Sequence, residues 1–239
     1  TDYDCVQYIR QVIEDEHSGV SLPAAIVIET IQAEGGVFLF DITTLKELRK
    51  ICDEFGIILI CDEIQVGCFR TGKFFSFEEA DIEPDFIALS KSISGIGLPM
   101  SLLLIESQYD IWEPGEHTGT FRGNQLAYIG AKAALEFAEK NSIEQMVKDK
   151  EKIVLKFLNE SLKQYQEIVS WRGKGLIWGI DLSRLKRNGV GITIARACNR
   201  YGVLVEVSGN GGNVLKILPP LTINKFNLIK GLEVIVENS

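Results

Sequence analysis

Apolar residues recur along this chain at two different periods, and the points where the period changes mark out its elements. Ile42, Leu45, Leu48, Ile51, Cys52 and Phe55 repeat at helical spacing. That pattern predicts a helix over about 41–55, with Thr44 and Glu47 as a capping box and Gly56 as the stop. The next run, Ile57 to Cys61, is apolar at every position, as expected of a parallel strand buried on both faces. "AAIVI" before Glu29, "FIAL" from Phe86 to Leu89 and "MSLLLI" from Met100 to Ile105 read as further strands, and Tyr3 to Glu16 as a helix. Strand, helix and strand at these lengths predict an α/β fold, a mostly parallel sheet covered by helices.

The second half changes character. Gln125 to Lys140 and Ile143 to Gln164 carry long helical patterns. Short strand candidates follow in "LIWGID", "VLVEV" and "VLKIL", with a helix from about Ile192 to Arg200. This is the signature of an α+β segment, and it divides the chain into 1–130, part of a large α/β domain, and 131–239, a bridging helix and a smaller C-terminal domain. No internal repeat or low-complexity linker marks the boundary.

Composition narrows the function classes. A formal net charge of -8 and a pI near 5.0 argue against general nucleic-acid binding, which needs clustered Lys and Arg. No apolar run approaches the ~20 residues of a membrane span, and the N-terminal residues do not form a signal peptide. Soluble and cytoplasmic is the expectation. Cys5, Cys52, Cys61, Cys68 and Cys198 are widely spaced without a C-x-x-C pair, which reads as a reduced thiol set. With His17 and His117 the only histidines, a His-rich metal site or a His-based triad is not expected, and no metal is assigned. Catalysis would rest on Lys, Asp, Glu or a cofactor. Trp112, Trp171 and Trp178 read as packing residues, and Cys61 and Cys68 as packing thiols.

One motif is deceptive. Gly67 to Lys73 spells G-x-x-x-x-G-K, but Phe74 stands where a phosphate loop needs Ser or Thr to ligate magnesium. The acidic strand also precedes this segment instead of following it. A nucleotide site is therefore rejected.

Three polar residues fall just beyond apolar strands: Glu29 after "AAIVI", Asp62 after "IILIC" and Lys91 after "FIALS". Ligands of open α/β sheets sit outside the carboxyl ends of the strands, so these residues are expected at one crevice. "SISGIG" after Lys91 would let backbone and ligand approach closely. An Asp and a Lys so placed can be a structural ion pair or a cofactor site. Pyridoxal 5′-phosphate needs both groups, an amine to form an imine and a carboxylate to keep the pyridine nitrogen protonated.

The stretches "IETIQAEGGVF", "ILICDEIQVGCFRTGKFFSFE", "PDFIALSKSISGIGLPMS" and "PGEHTGTFRGN", with Asp62 and Lys91 29 positions apart, resemble the class III pyridoxal-phosphate aminotransferases. That resemblance implies the type I fold of these transferases, a homodimer, an amino donor and a 2-oxo acid as substrates. "IQAEGG", "WEPGEHTGTFRGN" and "GNVLKILPPLTI" are most similar to the subgroup acting on 2,4-diaminobutyrate and 2-oxoglutarate in ectoine synthesis, with ornithine or 4-aminobutyrate as rival donors. A catalytically inactive truncated paralogue is the other alternative.

Carried over by resemblance, Lys91 is the Schiff-base lysine and proton shuttle, and Asp62 pairs with the pyridinium nitrogen. Gln65 lies near the phenolic oxygen, though a strand-end Gln bonded to backbone looks the same in sequence. Thr120 bonds the phosphate held by the neighbouring subunit, unless it is a simple turn or capping residue. Glu34 matches the glutamate that holds and releases a substrate-binding arginine. Lys216 stands where that arginine is expected, and a lysine lacks the bidentate fork. The family's earlier segment, with its phosphate-cradling loop and ring-stacking aromatic, has no counterpart here, so the chain is expected to be a C-terminal part, inactive alone.

Overall fold

The computed structural model describes residues 2–187 and 189–238, with side chains from residue 5 onward. In chain order its elements are α1 (Asp2–Glu14), β1 (Ala25–Ile28), β2 (Ile31–Gln32), α2 (Ala33–Gly36), β3 (Phe38–Leu39), α3 (Ile42–Phe55), β4 (Ile58–Asp62), β5 (Phe86–Leu89), β6 (Leu102–Ile105) and α4 (Gln125–Lys140). There follow α5 (Ile143–Leu162), β7 (Ser170–Lys174), β8 (Ile177–Asp181), α6 (Val190–Arg200), β9 (Glu206–Ser208), β10 (Val214–Ile217) and α7 (Lys225–Glu237). Short 3-10 turns include Ser76–Ala80 and Lys91–Ser94. The chain folds as two compact units. The first takes in the chain up to Thr30, Phe40–Cys68 and Phe75–Lys140; the second takes in Ile31–Leu39, Phe69–Phe74 and the chain from Asn141 onward.

The first unit holds a sheet of order β1-β4-β5-β6. β1 and β4 pair in parallel from Ala25 opposite Ile58 to Ile28 opposite Cys61, and β4 and β5 in parallel with Asp62 opposite Ala88. The run "MSLLLI" supplies β6, but antiparallel to β5, with Leu89 opposite Leu102. Apolar content fixes a strand and not its direction, so the sheet is mixed. Helix α3 lays Leu45, Leu48, Ile51 and Cys52 on Leu59 and Cys61 of β4, and Val6 of α1 closes the same core. β4 is more one-sided than its sequence suggests: Leu59 and Cys61 are buried, Ile58 and Ile60 half-buried.

The cap of α3 differs from expectation. Asp41 is the N-cap, its carboxylate accepting from Thr43 N at 2.8 Å and Thr44 N at 3.2 Å, so Thr44 lies inside the helix instead of capping it. Gly56 does end the helix, in the left-handed conformation at φ 66°.

The second unit carries an antiparallel sheet of order β7-β8-β10-β9 and the small β2-β3 hairpin. Helices α5, α6 and α7 accompany it. Ile143, Val147, Lys150, Val154, Leu158 and Leu162 form the buried stripe of α5, and Leu228, Leu232 and Ile235 that of α7. "VLVEV" is strand only from Glu206 onward, and Leu204 before it is 87% exposed. Trp178 is buried, as a packing residue should be; Trp112 is exposed and stacks on His117 with ring centroids 4.7 Å apart. Among the described residues no helix is long and apolar enough to cross a membrane.

Candidate active site

The register of the parallel strands brings the first constellation together. Ile28 lies opposite Cys61 and Asp62 opposite Ala88, so Glu29, Asp62 and Lys91 all emerge at the carboxyl edge of β1, β4 and β5. Asp62 is half-buried, and its Oδ1 accepts from Ile64 N at 2.9 Å, which fixes the plane of the carboxylate at the strand end. Gln65, half-buried, stands in the turn that follows.

Lys91 is exposed, with φ +48°. The left-handed region costs a side-chain-bearing residue about 1–2 kcal/mol, and such strain persists only where the surroundings impose it. Here the surroundings are visible. Ser90 Oγ donates to Met100 O at 2.9 Å on one side of Lys91. On the other, the Lys91–Ser94 turn packs on α4 at Gly130, where an added Cβ would lie 2.6 Å from Ser94 O.

Thr120 sits in the exposed loop between β6 and α4. Arg122 Nη1 donates to His117 O at 3.0 Å within that loop. Asn124 Oδ1 caps α4, accepting from Leu126 N at 3.2 Å and Ala127 N at 3.3 Å. An open cavity of about 1020 Å³ in this unit is lined by Ser90, Met100, Thr120, Asn124 and Tyr128 among others. Thr120 and the residue preceding Lys91 thus border one space.

The second constellation belongs to the other unit, and there the structure pairs Glu34 with Lys216. Lys216 Nζ bonds Glu34 Oε1 and also Glu206 Oε2, the latter at 3.0 Å, with the lysine side chain only 1% exposed. Burial alone would lower the Lys216 pKa, but the two carboxylates outweigh it and raise it, so the ammonium stays charged. Glu206 was not foreseen. Its signal is the cross-strand register, Lys216 opposite Glu206, which exists only once β9 and β10 are paired.

Arg172 was also missed. Its Nε donates to Gly36 O and Val37 O, both at 3.0 Å, its Nη2 to Gly36 O at 2.6 Å and its Nη1 to Asp181 at 2.9 Å. The guanidinium lies over the Phe38 ring, 3.9 Å from its centroid. Gly209 N bonds Glu34 O at 3.0 Å. These contacts hold the short α2 turn that presents Glu34.

Burial pushes Cys61 up to about 12 and Cys68 up to about 11, so both remain protonated, as packing thiols do.

The chain is similar to known proteins in both sequence and fold. The sequence pattern "Aminotransferase class-III" matches residues 2–238. A diaminobutyrate–2-oxoglutarate transaminase of Wolinella succinogenes is 46% identical over 237 residues, covering 99% of this chain and 55% of that protein. One of the same name from Sporosarcina pasteurii is 43% identical over 235 residues, again covering 55% of its length. The chain therefore spans little more than half the length of these relatives. Among solved structures, a Bacillus anthracis aminotransferase superposes with a TM-score of 0.89 at 27% identity, covering 99% of this chain and 56% of that one. The ornithine aminotransferase of Plasmodium yoelii gives 0.86 at 28% identity, covering 99% and 60%. The chain belongs to the class-III aminotransferase family.

Proposed function

We propose that the protein carrying this chain transfers an amino group between L-2,4-diaminobutyrate, with its product aspartate semialdehyde, and the glutamate/2-oxoglutarate pair, using pyridoxal 5′-phosphate. The observation that carries the reading is the placement of Asp62 and Lys91 at the carboxyl ends of adjacent parallel strands. The residues present fit the cofactor: an exposed amine on a strained turn and a carboxylate with one oxygen fixed by Ile64 N. When bound, the cofactor supplies the aldehyde that condenses with amines and the ring that withdraws electrons from the substrate.

Every other role falls to side chains of this chain. Lys91 would hold the cofactor covalently and, once released, would move the proton on the substrate carbon that bears the transferred amine, C4 of diaminobutyrate and Cα of glutamate. Asp62 keeps the ring nitrogen protonated, which a neutral amide could not do. Gln65 donates to the phenolic oxygen, and Thr120 serves the phosphate held by a second copy of the chain, in a homodimer. The first unit contributes to the cofactor-binding domain, and the second to the smaller domain. Lys216 answers a substrate carboxylate, with Glu34 as its competitor. The names of the relatives support this donor, and the reading carries with it a cytoplasmic setting in ectoine synthesis.

Borohydride reduction of the cofactor-loaded full-length enzyme, followed by peptide mapping, should place the pyridoxyl group on Lys91. Recovery on Lys73 would end the assignment. For the donor, kcat/KM should be higher for 2,4-diaminobutyrate than for ornithine or 4-aminobutyrate; the reverse order would refute the narrower claim.

A further inference from the structure

Glu63 follows Asp62 directly, and nothing in the roles above uses it. Its side chain is 1% exposed. Ser76 N donates to its two carboxylate oxygens at 3.1 and 3.0 Å, and Ser76 Oγ donates to Oε1. The same serine hydroxyl bonds Thr30 Oγ1, one residue past Glu29. Through its backbone, Glu63 N donates to Ala88 O at 2.9 Å, and Glu63 O accepts from Gly67 N at 3.0 Å. A Cβ at Gly67 would stand 2.8 Å from that oxygen, so the turn closes on Glu63 with no room for a larger residue. The buried carboxylate thus ties the end of β4 to the 3-10 turn that starts at Ser76 and, through the Ser76 hydroxyl, to Thr30 after β1, while the Glu63 backbone makes the bonds to β5 and to Gly67.

A neutral amide or hydroxyl would satisfy a buried turn at less desolvation cost, so a carboxylate here calls for a reason. The groups facing it are hydroxyls, backbone N–H groups, the Asp62 carboxylate, and the thiols of Cys61 and Cys68. Burial pushes the Glu63 carboxyl up to about 7, against the Ser76 and Phe77 donors, and the Asp62 charge pushes in the same direction as burial.

We propose that Glu63 is a positioning residue for Asp62: the Glu63–Ser76–Thr30 chain locks the end of β4, and the Glu63 carboxylate, when ionised, adds a second negative charge behind the one that faces the cofactor. This rests on the reading of Asp62 as the partner of the ring nitrogen. In its ionised form Glu63 favours protonation of the bound cofactor, so its loss moves the cofactor's titration to lower pH.

The test uses the full-length holoenzyme and compares Glu63→Gln, Ser76→Ala, Asp62→Asn and, as a control in the same core, Ile51→Val. Three quantities are read: the dissociation constant for pyridoxal 5′-phosphate, the pH midpoint of the bound cofactor's visible absorbance, and Tm. Glu63→Gln should weaken cofactor binding about tenfold and lower the midpoint by roughly half a pH unit. Ser76→Ala should weaken binding similarly, and Ile51→Val should lower Tm while leaving the other two readings alone. If Asp62→Asn shifts binding and midpoint but Glu63→Gln and Ser76→Ala leave them within twofold and within error, the positioning role is refuted and the Asp62 reading stands. If Asp62→Asn itself changes neither, both fall. Should Glu63→Gln fail to fold, the dissociation constant of Ser76→Ala decides.

Discussion

Gly130 and Gly231 both sit inside helices, and alanine at the two positions should act with opposite sign. In an open helix interior Gly→Ala stabilises by about 1 kcal/mol, because glycine loses more backbone freedom on folding. Gly231 in α7 offers that case: an added Cβ meets nothing within 4 Å. At Gly130 in α4 the same Cβ would lie 2.6 Å from Ser94 O and 2.8 Å from two side-chain carbons of Ile96. Ile96 can turn away, but Ser94 O is backbone of the turn that begins at Lys91. The contact is tight from both sides, since a Cβ at Gly95 would stand 2.4 Å from Ala134 Cβ. Forced overpacking costs about 1–3 kcal/mol, which outweighs the gain in helix propensity. Gly130→Ala should therefore destabilise by up to about 2 kcal/mol, lowering Tm by several degrees at roughly 2–4 °C per kcal/mol. Gly231→Ala should raise Tm by a similar step. Thermal melts of both variants in the full-length protein test this, with borohydride labelling of Lys91 as a second readout that should fall only in Gly130→Ala. A Gly130→Ala protein as stable as Gly231→Ala, with full labelling, would show that the α4 contact does not shape the lysine turn.

Asp62→Asn should keep Tm within a few degrees of the parent and remove most transaminase activity; a loss of only two- or threefold would mean that Asp62 does not serve the ring nitrogen. Lys216→Met keeps the buried stem and removes the charge. Because Glu34 and Glu206 are about two-thirds exposed, water can take over their solvation, so stability should change by no more than about 1 kcal/mol. KM for 2-oxoglutarate should rise at least about tenfold, as expected for a lost charged contact, and an unchanged KM would remove Lys216 from substrate binding. Glu63 should leave a signature in stability against pH. Its folded pKa of about 7 lies above the ordinary 4.5, so between those values the native state holds a proton that the unfolded chain has released. Its contribution is complete below about pH 4.5 and is lost as pH rises through 7, a change of about 3 kcal/mol, so subtracting the Glu63→Gln denaturation curves from the parent's should give a falling difference across that window.

The parts of the fold that could be read from sequence are those made by local periodicity. Helix α3 and strand β5 appear where the apolar spacing puts them, because burial of a single stripe or run specifies each one. Direction and pairing are different in kind. "FIAL" and "MSLLLI" look alike as apolar runs, yet one pairs in parallel with β4 and the other antiparallel with β5. Asp41 and Thr44 both suit an N-cap, and only the extended backbone at Asp41, φ -69° and ψ 140°, decides between them. Strand β7, "SWRGK", has no apolar alternation and is held as a strand by its neighbour β8. Helix α7 is legible in Leu228, Leu232 and Ile235 at spacings of four and three.

The two candidate constellations differ for the same reason. Asp62 and Lys91 follow apolar strands directly, so the rule that sites gather at carboxyl strand ends reaches them from sequence alone. The surroundings of Lys216 need long-range register. Glu206 becomes its partner only because β9 lies antiparallel to β10 at that residue, and Glu34 only because Arg172, from β7, gathers the carbonyls of Gly36 and Val37. That arrangement also bears on why lysine can occupy this position. An arginine would gain from a planar fork on one carboxylate. Lys216 instead binds two carboxylates through a point charge with freely rotating donors, a geometry that makes no demand on coplanarity. On the proposed role of Lys216, exchange of Glu34 for a substrate carboxylate would leave the buried ammonium paired by Glu206.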